Sequence, residues 1–424
     1  MHDALTDRFG NPLAPGLPYA RGAIVTSTQD DLRKLRRAWQ VIEARIRKDG
    51  PDAVFNFTGL ERGLAIEPSA AAFLDDEVAP ALYGDQITAL ALEHLGGRAE
   101  RHDIMLFNRM TAATLATHLV LVKAGDTVIG VSPSYSHPTV ARSAALVGAR
   151  FVDTVGSTGF AVALDHADRV SLVVLTRLAV TYEALPTEAL REVVTLAHAR
   201  GIPVYLDDAG GARVGPAVLD QPRMLELDVD VGATGLDKYG TVGPRLGLLA
   251  GDKALVSQIR ARAFELGLEA RPMLYPAVLR SLEQYDPARV RALAATTKAV
   301  AAALRERLGH RLHETSLTAQ LFGEDVLELA LEQAGQSQRR LVPIEATAAL
   351  AMLLLEDHGI LTVHFAGLPP GISAILFKFV SPETLRRFGG APAFAQAVDD
   401  SLTRLAGVVA SAQSVRMLLY GSPA

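Results

Sequence analysis

Short apolar segments alternate with amphipathic segments through the middle of the chain. The apolar segments have the length of buried strands, and most of them end at glycine or polar residues. They predict strands at 103–107, 127–132, 149–154, 171–176, 203–207, 229–234 and 246–251. Apolar residues at helical spacing predict helices between several of these strands, at 111–123, 138–147 and 187–200. This alternation is typical of an α/β protein whose sheet is mostly parallel and has helices on both faces.

The two ends of the chain have a different pattern. Residues 1–28 are rich in proline and glycine and predict an extended arm, and 26–48 predicts an amphipathic helix. The C-terminal part mixes elements, with predicted helices at 254–267, 287–308 and 391–412 and strands at 360–365 and 374–380. We therefore expect an N-terminal arm and helix (1–50), a large domain (51–280) and a smaller α+β domain (281–424).

Composition narrows the class of protein. The 424 residues contain 42 Lys+Arg and 47 Asp+Glu, so the net charge of −5 argues against a nucleic-acid partner. There is no cysteine, which excludes disulfides, thiolate metal sites and a cysteine nucleophile and fits a reducing compartment. The longest apolar runs, 113–122 and 346–355, are about half of a membrane span, and no secretory signal pattern precedes them. We expect a cytoplasmic protein without membrane association.

One of the seven lysines differs from the others. Lys238 follows the predicted strand 229–234 and lies among glycines in GATGLDKYGTVGPRLG, whereas most of the rest occupy helices or turns. Ligands of open parallel sheets bind outside the carboxyl ends of the strands. A partly desolvated amine at such a place has a lowered pKa and attacks carbonyls, although a solvated loop lysine is the plain alternative.

A second strand end carries two carboxylates. Asp207 and Asp208 close the strand in PVYLDDAGGA, and small residues follow them. A lysine that forms an aldimine and a carboxylate that keeps a pyridine nitrogen protonated are what pyridoxal 5′-phosphate requires. Because side chains alternate along a strand, only one aspartate can point at the ring, and we choose Asp207, with Ala209 supporting the ring face. An acidic helix cap is the alternative interpretation.

Two further turns could complete a cofactor site. In LFNRMTAATLATHL the helix start offers the free amides of Met110, Thr111 and Ala112 and the Thr111 hydroxyl to a phosphate, with Asn108 or Arg109 assisting. In SPSYSHPTV either His137 or Tyr135 could cover the ring, and we favour His137 because it directly precedes the helix that Pro138 begins. No histidines have the spacing of metal ligands, so we expect no metal.

The order of these segments resembles that of fold-type I pyridoxal-phosphate enzymes. The quoted segments FNFTGLERG (55–63), FNRMTAATLAT (107–117), LDDAGGARVG (206–215) and TGLDKYGTVGPRLGLLAG (234–251) resemble the selenocysteine-synthase-like group. They are most similar to its archaeal-type branch of pyridoxal-phosphate proteins, and D-glucosaminate-6-phosphate ammonia-lyases are similar over the same stretches. The resemblance covers about residues 50–290 and implies the fold-type I transferase fold with a seven-stranded central sheet.

The resemblance also implies roles for particular residues. It assigns the aldimine to Lys238, the pyridine partner to Asp207, ring stacking to His137 and the phosphate cup to 108–111. It adds a phosphate contact from Thr234. It implies further that the Gly243-Pro244-Arg245 loop completes the cofactor site, often from a neighbouring subunit, so that we expect at least a homodimer.

Two departures from aminotransferases bear on the reaction. TRLAVTYEAL (176–185) stands where they usually carry an Asn-Pro-rich stretch, and Lys378 is the only cation in the small-domain strand where they usually place an arginine. We therefore expect β-elimination or β-replacement on an amino-acid-like substrate, with an aminotransferase and a non-catalytic cofactor-binding protein as alternatives. Candidates for contact with the substrate are Arg177, Arg245, Arg271, Lys378 and Tyr135.

Overall fold

The computed structural model describes residues 6–64, 66–365 and 367–421. The chain forms two compact units, and we call them the large unit (Glu61–Arg291) and the small unit (Met1–Leu60 with Ala292–Ala424). Residues 1–5 of the predicted arm lie outside the described residues. Within the described part of the chain, no helix is both long enough and apolar enough to cross a membrane.

The strands and helices are numbered in chain order. The strands are β1 (Phe55–Asn56), β2 (His102–Phe107), β3 (Thr127–Ser132), β4 (Arg150–Val155), β5 (Val170–Thr176), β6 (Val204–Asp207), β7 (Val231–Gly235), β8 (Gly247–Asp252), β9 (His313–Glu314), β10 (Thr318–Phe322), β11 (Ile360–Leu361) and β12 (Ala374–Lys378). The helices are α1 (Thr28–Asp49), α2 (Val78–Leu95), α3 (Met110–Leu121), α4 (Pro138–Leu146), α5 (Gly156–His166), α6 (Thr187–His198), α7 (Gly211–Val218), α8 (Lys253–Leu266), α9 (Tyr275–Glu283), α10 (Pro287–Leu308), α11 (Gly323–Gln333), α12 (Pro343–His358), α13 (Pro382–Phe388), α14 (Gly390–Ala406) and α15 (Ala412–Tyr420).

A seven-stranded sheet organises the large unit, in the order β2-β8-β7-β6-β5-β3-β4. β8 runs antiparallel to both of its neighbours, and the other neighbouring pairs are parallel. Helices cover both faces of the sheet, and alternate residues of a strand therefore enter two separate cores. Ile104 and Leu106 of β2 belong to one core, and Met105 and Phe107 belong to the other. The predicted α/β architecture, with a mostly parallel seven-stranded sheet between helices, is confirmed.

The small unit contains elements from both ends of the chain. α1 packs against α12 and α15, and its Ala38 and Val41 enter the same core as Leu350 of α12. A three-stranded antiparallel sheet, β12-β10-β9, lies in this unit. The predicted boundaries near 50 and 280 thus differ from the bounds of the two units, because α1 packs against helices from the C-terminal part of the chain.

Two C-terminal elements differ from the prediction. The strand expected at 360–365 is limited to β11, which pairs with β1, and a 3-10 turn at Val363–Phe365 follows. This turn buries His364, whose Nδ1 lies 3.0 Å from the Lys34 amine. The helix expected at 391–412 is two helices, since α14 ends at Ala406, is capped by Gly407, and α15 begins at Ala412.

Candidate active site

The sheet order brings the two predicted key positions to neighbouring strand ends. Asp207 is the last residue of β6, and it lies opposite Ala233 of β7 in parallel register. β7 ends at Gly235, and Lys238 follows in the next turn. The carboxyl ends of parallel strands meet at one edge of a sheet, where ligands bind. Asp207 and Lys238 are therefore placed at the same edge.

Asp207 lies on the face of the sheet that α3 covers. Tyr205, two residues earlier and on the same face, has its hydroxyl 3.0 Å from the Thr114 hydroxyl of α3. Burial, together with the charge of Asp208, raises the pKa of Asp207 to about 6, while the Ala209 amide and the Lys238 charge act in the opposite direction. A buried carboxyl with a raised pKa is suited to a cationic partner, because such a partner restores the charged form.

Asp208 points elsewhere and serves a different purpose. Its carboxylate accepts a hydrogen bond of 2.9 Å from Arg177, and both side chains are fully buried. Arg177 also donates to the Pro222 carbonyl over 2.6 Å. Gly211 and Gly215 of α7 leave room for Arg177, since a Cβ at Gly215 would lie 2.3 Å from its Nη1. This corrects the assignment of Arg177 to substrate, because its guanidinium is enclosed by protein.

Lys238 is a desolvated amine among charged neighbours. Burial is the largest influence and lowers its pKa, and the charges of Arg62 and Arg245 act in the same direction. The carboxylates of Asp237 and Asp207 oppose this shift. An amine with a lowered pKa is more often neutral, and the neutral form is the nucleophile. The surroundings of Lys238 thus shift its pKa in the direction that favours a nucleophilic amine.

Asp237 joins a group of arginines that the sequence prediction did not identify in full. Arg62 donates from Nε to Asp237 over 2.8 Å. Burial and the charges of Arg62 and Arg109 lower the pKa of Arg245 to about 10, and burial and Arg62 lower that of Arg109. Arg62, Arg109 and Arg245 therefore lie close enough to repel one another. We call these three residues the arginine cluster, and such a concentration of positive charge favours an anion.

The segment 61–63 carries Arg62 into this cluster. The Gly63 amide donates to the Gly243 carbonyl over 3.2 Å, and the Gly243 amide donates to the Glu61 carbonyl over 3.1 Å. A Cβ at Gly243 would lie 2.4 Å from the Leu236 carbonyl oxygen, so the glycine permits this close approach. The motif FNFTGLERG contained the signal for Arg62, but its partner lies 175 residues away along the chain.

The start of α3 has the form expected of a phosphate site. Arg109 precedes the helix in an extended conformation and provides no side-chain cap. Gly247 of β8 lies beneath this turn, where a Cβ would be 2.8 Å from the Met110 nitrogen. The first amides of a helix, here those of Met110 and Thr111, have no intrahelical acceptor and favour an anion. Asn108 lies on the exposed side of the turn, and its amide donates to the Gly267 carbonyl over 3.4 Å.

Thr234, at the end of β7, bonds to the segment that follows Asp207. Its hydroxyl donates to the Ala209 carbonyl over 3.2 Å, and the Gly235 amide donates to the same oxygen over 3.3 Å. These bonds join the segment after Asp207 to the end of β7. The Thr234 hydroxyl thus has a partner within the protein, and its contact with a phosphate stays a prediction.

His137 stands at the N-terminus of α4, as expected from the following proline. Its Nδ1 accepts a hydrogen bond of 3.1 Å from the Thr139 amide. Burial, followed by the charges of Arg142 and Lys238, lowers the pKa of His137 to about 4. The ring is therefore neutral at pH 7, which suits stacking against a flat aromatic group. Tyr135, two residues earlier, is half-buried in the same turn.

The remaining candidates lie in different surroundings. Arg271 is an exposed residue that forms an ion pair with Asp76. Lys378 is buried in β12 of the small unit. Among the described residues, no three histidine or acidic side chains are grouped as metal ligands.

Solved structures share this fold. The chain resembles a SepCysS–SepCysE N-terminal domain complex with a TM-score of 0.57 and 14% identity, over 83% of this chain and 95% of the other. It resembles the PLP-dependent cyclase OrfR with a TM-score of 0.59 and 17% identity, over 85% and 97%. For N-succinyldiaminopimelate aminotransferase from Mycobacterium tuberculosis the values are 0.56 and 17%, over 88% and 98%. The fold is that of the fold-type I pyridoxal-phosphate-dependent enzymes.

Sequence relatives identify the family within this class. The chain is 30% identical over 393 residues to a UPF0425 pyridoxal phosphate-dependent protein of Methanothermobacter thermautotrophicus, over 92% of this chain and 98% of the relative. It is 28% identical over 359 residues to one from Methanosphaera stadtmanae, over 84% and 90%. No family model matches the chain. The protein belongs to the UPF0425 family of pyridoxal phosphate-dependent proteins, and pyridoxal phosphate is its cofactor. A buried acid, a desolvated lysine and an open helix start fit that group.

Proposed function

We propose that the protein is an enzyme that removes or replaces a substituent at the β-carbon of an amino-acid-like substrate. The observation that carries this proposal is the pairing of Lys238 with Asp207 at neighbouring strand ends, where Asp207 is buried, Lys238 is half-buried and each charge acts on the pKa of the other. When bound, pyridoxal phosphate supplies an electron sink that acidifies the Cα–H bond of an attached amine. The similarity of the quoted motifs to selenocysteine synthases and D-glucosaminate-6-phosphate ammonia-lyases supports this type of reaction.

Lys238 would serve twice. Its Nζ would hold the cofactor's aldehyde carbon before substrate arrives, and its lowered pKa favours the neutral amine that this bond requires. Once displaced by the substrate amine, Nζ would accept the Cα proton. The Cβ substituent would then leave with its bonding electron pair, and water would release ammonia and a keto acid.

Asp207 and His137 would hold the ring from two sides. The Asp207 carboxylate would keep the pyridine nitrogen protonated. The positive charge on that nitrogen would in turn lower the raised pKa of Asp207. The neutral His137 ring would cover one face, with Tyr135 as the alternative. The small side chain of Ala209 would support the opposite face of the ring.

The anions of the cofactor and the substrate would occupy the start of α3 and the arginine cluster. The amides of Met110 and Thr111, with Asn108 and Arg109, would bind the phosphate. The arginine cluster has three positive charges and only the carboxylate of Asp237 to oppose them. This is more positive charge than the binding of one phosphate at the start of α3 requires. We therefore propose Arg245 and Arg62 as the groups that bind the substrate's carboxylate or an anionic leaving group.

Elimination is favoured over transamination by the small-domain cation. Transamination holds two carboxylate substrates in turn, and a forked arginine suits that task better than a lysine. In β12 the cation is Lys378. At the end of β5 the chain continues as TRLAVTYEAL (176–185). Neither segment has the residues that aminotransferases of this fold usually use.

We also propose a homodimer or larger homo-oligomer in the cytoplasm. Exposed apolar side chains occur in 61–82 and the turns near it, where Val242 adjoins Gly63. They are Leu64, Phe73, Val78, Leu82, Val242 and Met273. Such residues are costly to leave in water and suit a second copy of the chain.

An absorbance spectrum of the purified protein tests the proposal. We expect a yellow protein whose visible band disappears on borohydride reduction, and an amino-acid screen in which some compounds change the band and release ammonia. A bound cofactor whose spectrum responds to no amino acid would instead indicate the non-catalytic alternative.

A further inference from the structure

Arg213 of α7 is a buried guanidinium that the proposed reaction does not use. Its side chain is fully buried, and among the described residues it forms no ion pair. Burial lowers its pKa to about 10, and its Nη2 has no hydrogen-bond partner among those residues. A buried charge without a carboxylate is costly to the folded state, so its retention calls for a function.

The guanidinium binds the backbone of the turn that carries Lys238. Nη1 donates to the Lys238 carbonyl at very short range, and the Leu236 and Tyr239 carbonyls lie 3.5 and 3.3 Å from the same nitrogen. Charged donors form the stronger class of hydrogen bond to such oxygens. A single side chain thus contacts three carbonyls within four consecutive residues.

Two aromatic neighbours fix the direction of the guanidinium. It lies 5.2 Å from the ring centre of Tyr285, and its Nε donates to His94 Nε2 over 3.3 Å. Burial and the Arg213 charge lower the pKa of His94 to about 3, so that this ring stays neutral and can accept the bond. Tyr285 also packs against the turn itself, since a Cβ at Gly240 would lie 3.0 Å from its ring.

We propose that Arg213 is the positioning residue that holds the 236–239 turn, and thereby sets the place from which Lys238 reaches the cofactor. α7 begins four residues after Asp207, so the same short helix connects the acid to the turn that carries the amine. The inference rests on the proposed role of Lys238. Arg213 has different partners from Arg177, a second buried arginine next to α7, which binds the Asp208 carboxylate and the Pro222 carbonyl.

Hydrogen exchange of the pyridoxal-phosphate-saturated full chain tests this inference. We expect Arg213→Met to speed amide exchange in 236–243 by about tenfold or more, because that turn loses its main anchor. The fraction of Lys238 trapped by borohydride, measured by mass spectrometry, should fall by about half or more. Arg213→Lys retains the charge but not the fork, and it should give intermediate values for both quantities.

Arg177→Met is the matched control, since it also removes a buried guanidinium next to α7. It should lower the thermal midpoint and leave exchange in 236–243 at the wild-type rate. The proposal would be overturned if Arg213→Met kept the wild-type exchange rate in 236–243 and the wild-type trapped fraction of Lys238. It would also be overturned if Arg177→Met sped exchange in 236–243 as much as Arg213→Met. Should the methionine variant not fold, wild-type exchange in Arg213→Lys would overturn it. Borohydride labelling of another lysine would refute the role of Lys238 instead, while the exchange data would still report the turn.

Discussion

Asp208 accepts its 2.9 Å hydrogen bond from Arg177 at the ends of two adjacent strands, while Asp207, one residue earlier, faces the side of α3. The two neighbouring acids therefore have separate tasks. Asp208 neutralises a buried guanidinium, and Asp207 remains for a ligand. Substitution should separate these tasks.

Asp208→Ala should destabilise the fold by about 3–5 kcal/mol, because it leaves Arg177 buried without a counter-charge. Asp207→Ala should leave the stability of the cofactor-free protein equal or higher and reduce turnover by orders of magnitude. Thermal unfolding and steady-state rates measure the two effects. If Asp208→Ala were the change that stops turnover in a stable protein, the assignment of the strand faces would be wrong.

Lys238→Ala should abolish the borohydride-reducible adduct, because its amine is the desolvated one beside Asp207 and Asp237. Lys253→Ala, at the exposed start of α8, is the control and should retain the yellow colour and the full adduct. Peptide mapping after reduction locates the label. A stoichiometric adduct on another lysine in Lys238→Ala would contradict the prediction.

The stability of the cofactor-free protein should depend on pH through Asp207. Its pKa is raised from 3.8 to about 6, so the folded state binds this proton more tightly than the unfolded chain. The free energy of unfolding from this group falls as the pH rises from about 4 to about 6, by about 3 kcal/mol, and is constant above that range.

Asp207→Asn removes that titration and serves as the comparison. The difference in unfolding free energy between Asp207→Asn and wild type should grow between pH 4 and pH 6 in favour of the variant. Denaturant unfolding at a series of pH values measures it. A difference that is constant over this range would show that the acid is not desolvated.

Arg245→Gln should raise the KM for an anionic substrate by about tenfold or more, because it removes a charge-assisted contact. Arg262→Gln is the control, since Arg262 is exposed and pairs with Glu265 on the surface of α8. Unchanged KM in Arg245→Gln would place the substrate anion outside the arginine cluster.

The reaction should proceed without an amino acceptor. A mixture of enzyme with an excess of an active amino acid, and no keto acid added, should keep releasing ammonia beyond one equivalent per active site. Conversion of the cofactor to a stable amine form that waits for a keto acid would show transamination and refute the prediction.

Local sequence pattern predicted the elements of the large unit well. β3 was predicted at its observed bounds, 127–132, since a continuous apolar run bounded by polar residues leaves little choice in a buried parallel sheet. α2 was not predicted, because Pro80 and Gly84 interrupt its pattern, and packing against α9 stabilises it instead. The strand predicted at 360–365 was wrong beyond Leu361, where a 3-10 turn follows and His364 contacts Lys34, a residue that is distant along the chain.

The candidate site shows the same limit. Lys238, Asp207 and the start of α3 were predictable, because each lies at the end of its own strand. Arg62 was not, because pairing of 61–63 with Gly243 brings it to Asp237. Arg177 was assigned to substrate because a sequence shows where a strand ends and not which helix closes over that end.

The division of the chain bears on the order in which it folds during synthesis. The large unit is one continuous stretch, Glu61–Arg291, whereas the small unit needs residues on both sides of that stretch. A ribosome therefore delivers the whole seven-stranded sheet before it delivers α12, against which α1 packs. Until then the apolar face of α1 lacks the two C-terminal helices, α12 and α15, that pack against it. The nascent chain must keep this helix from misassociating while the half of the protein that holds Lys238 is already complete.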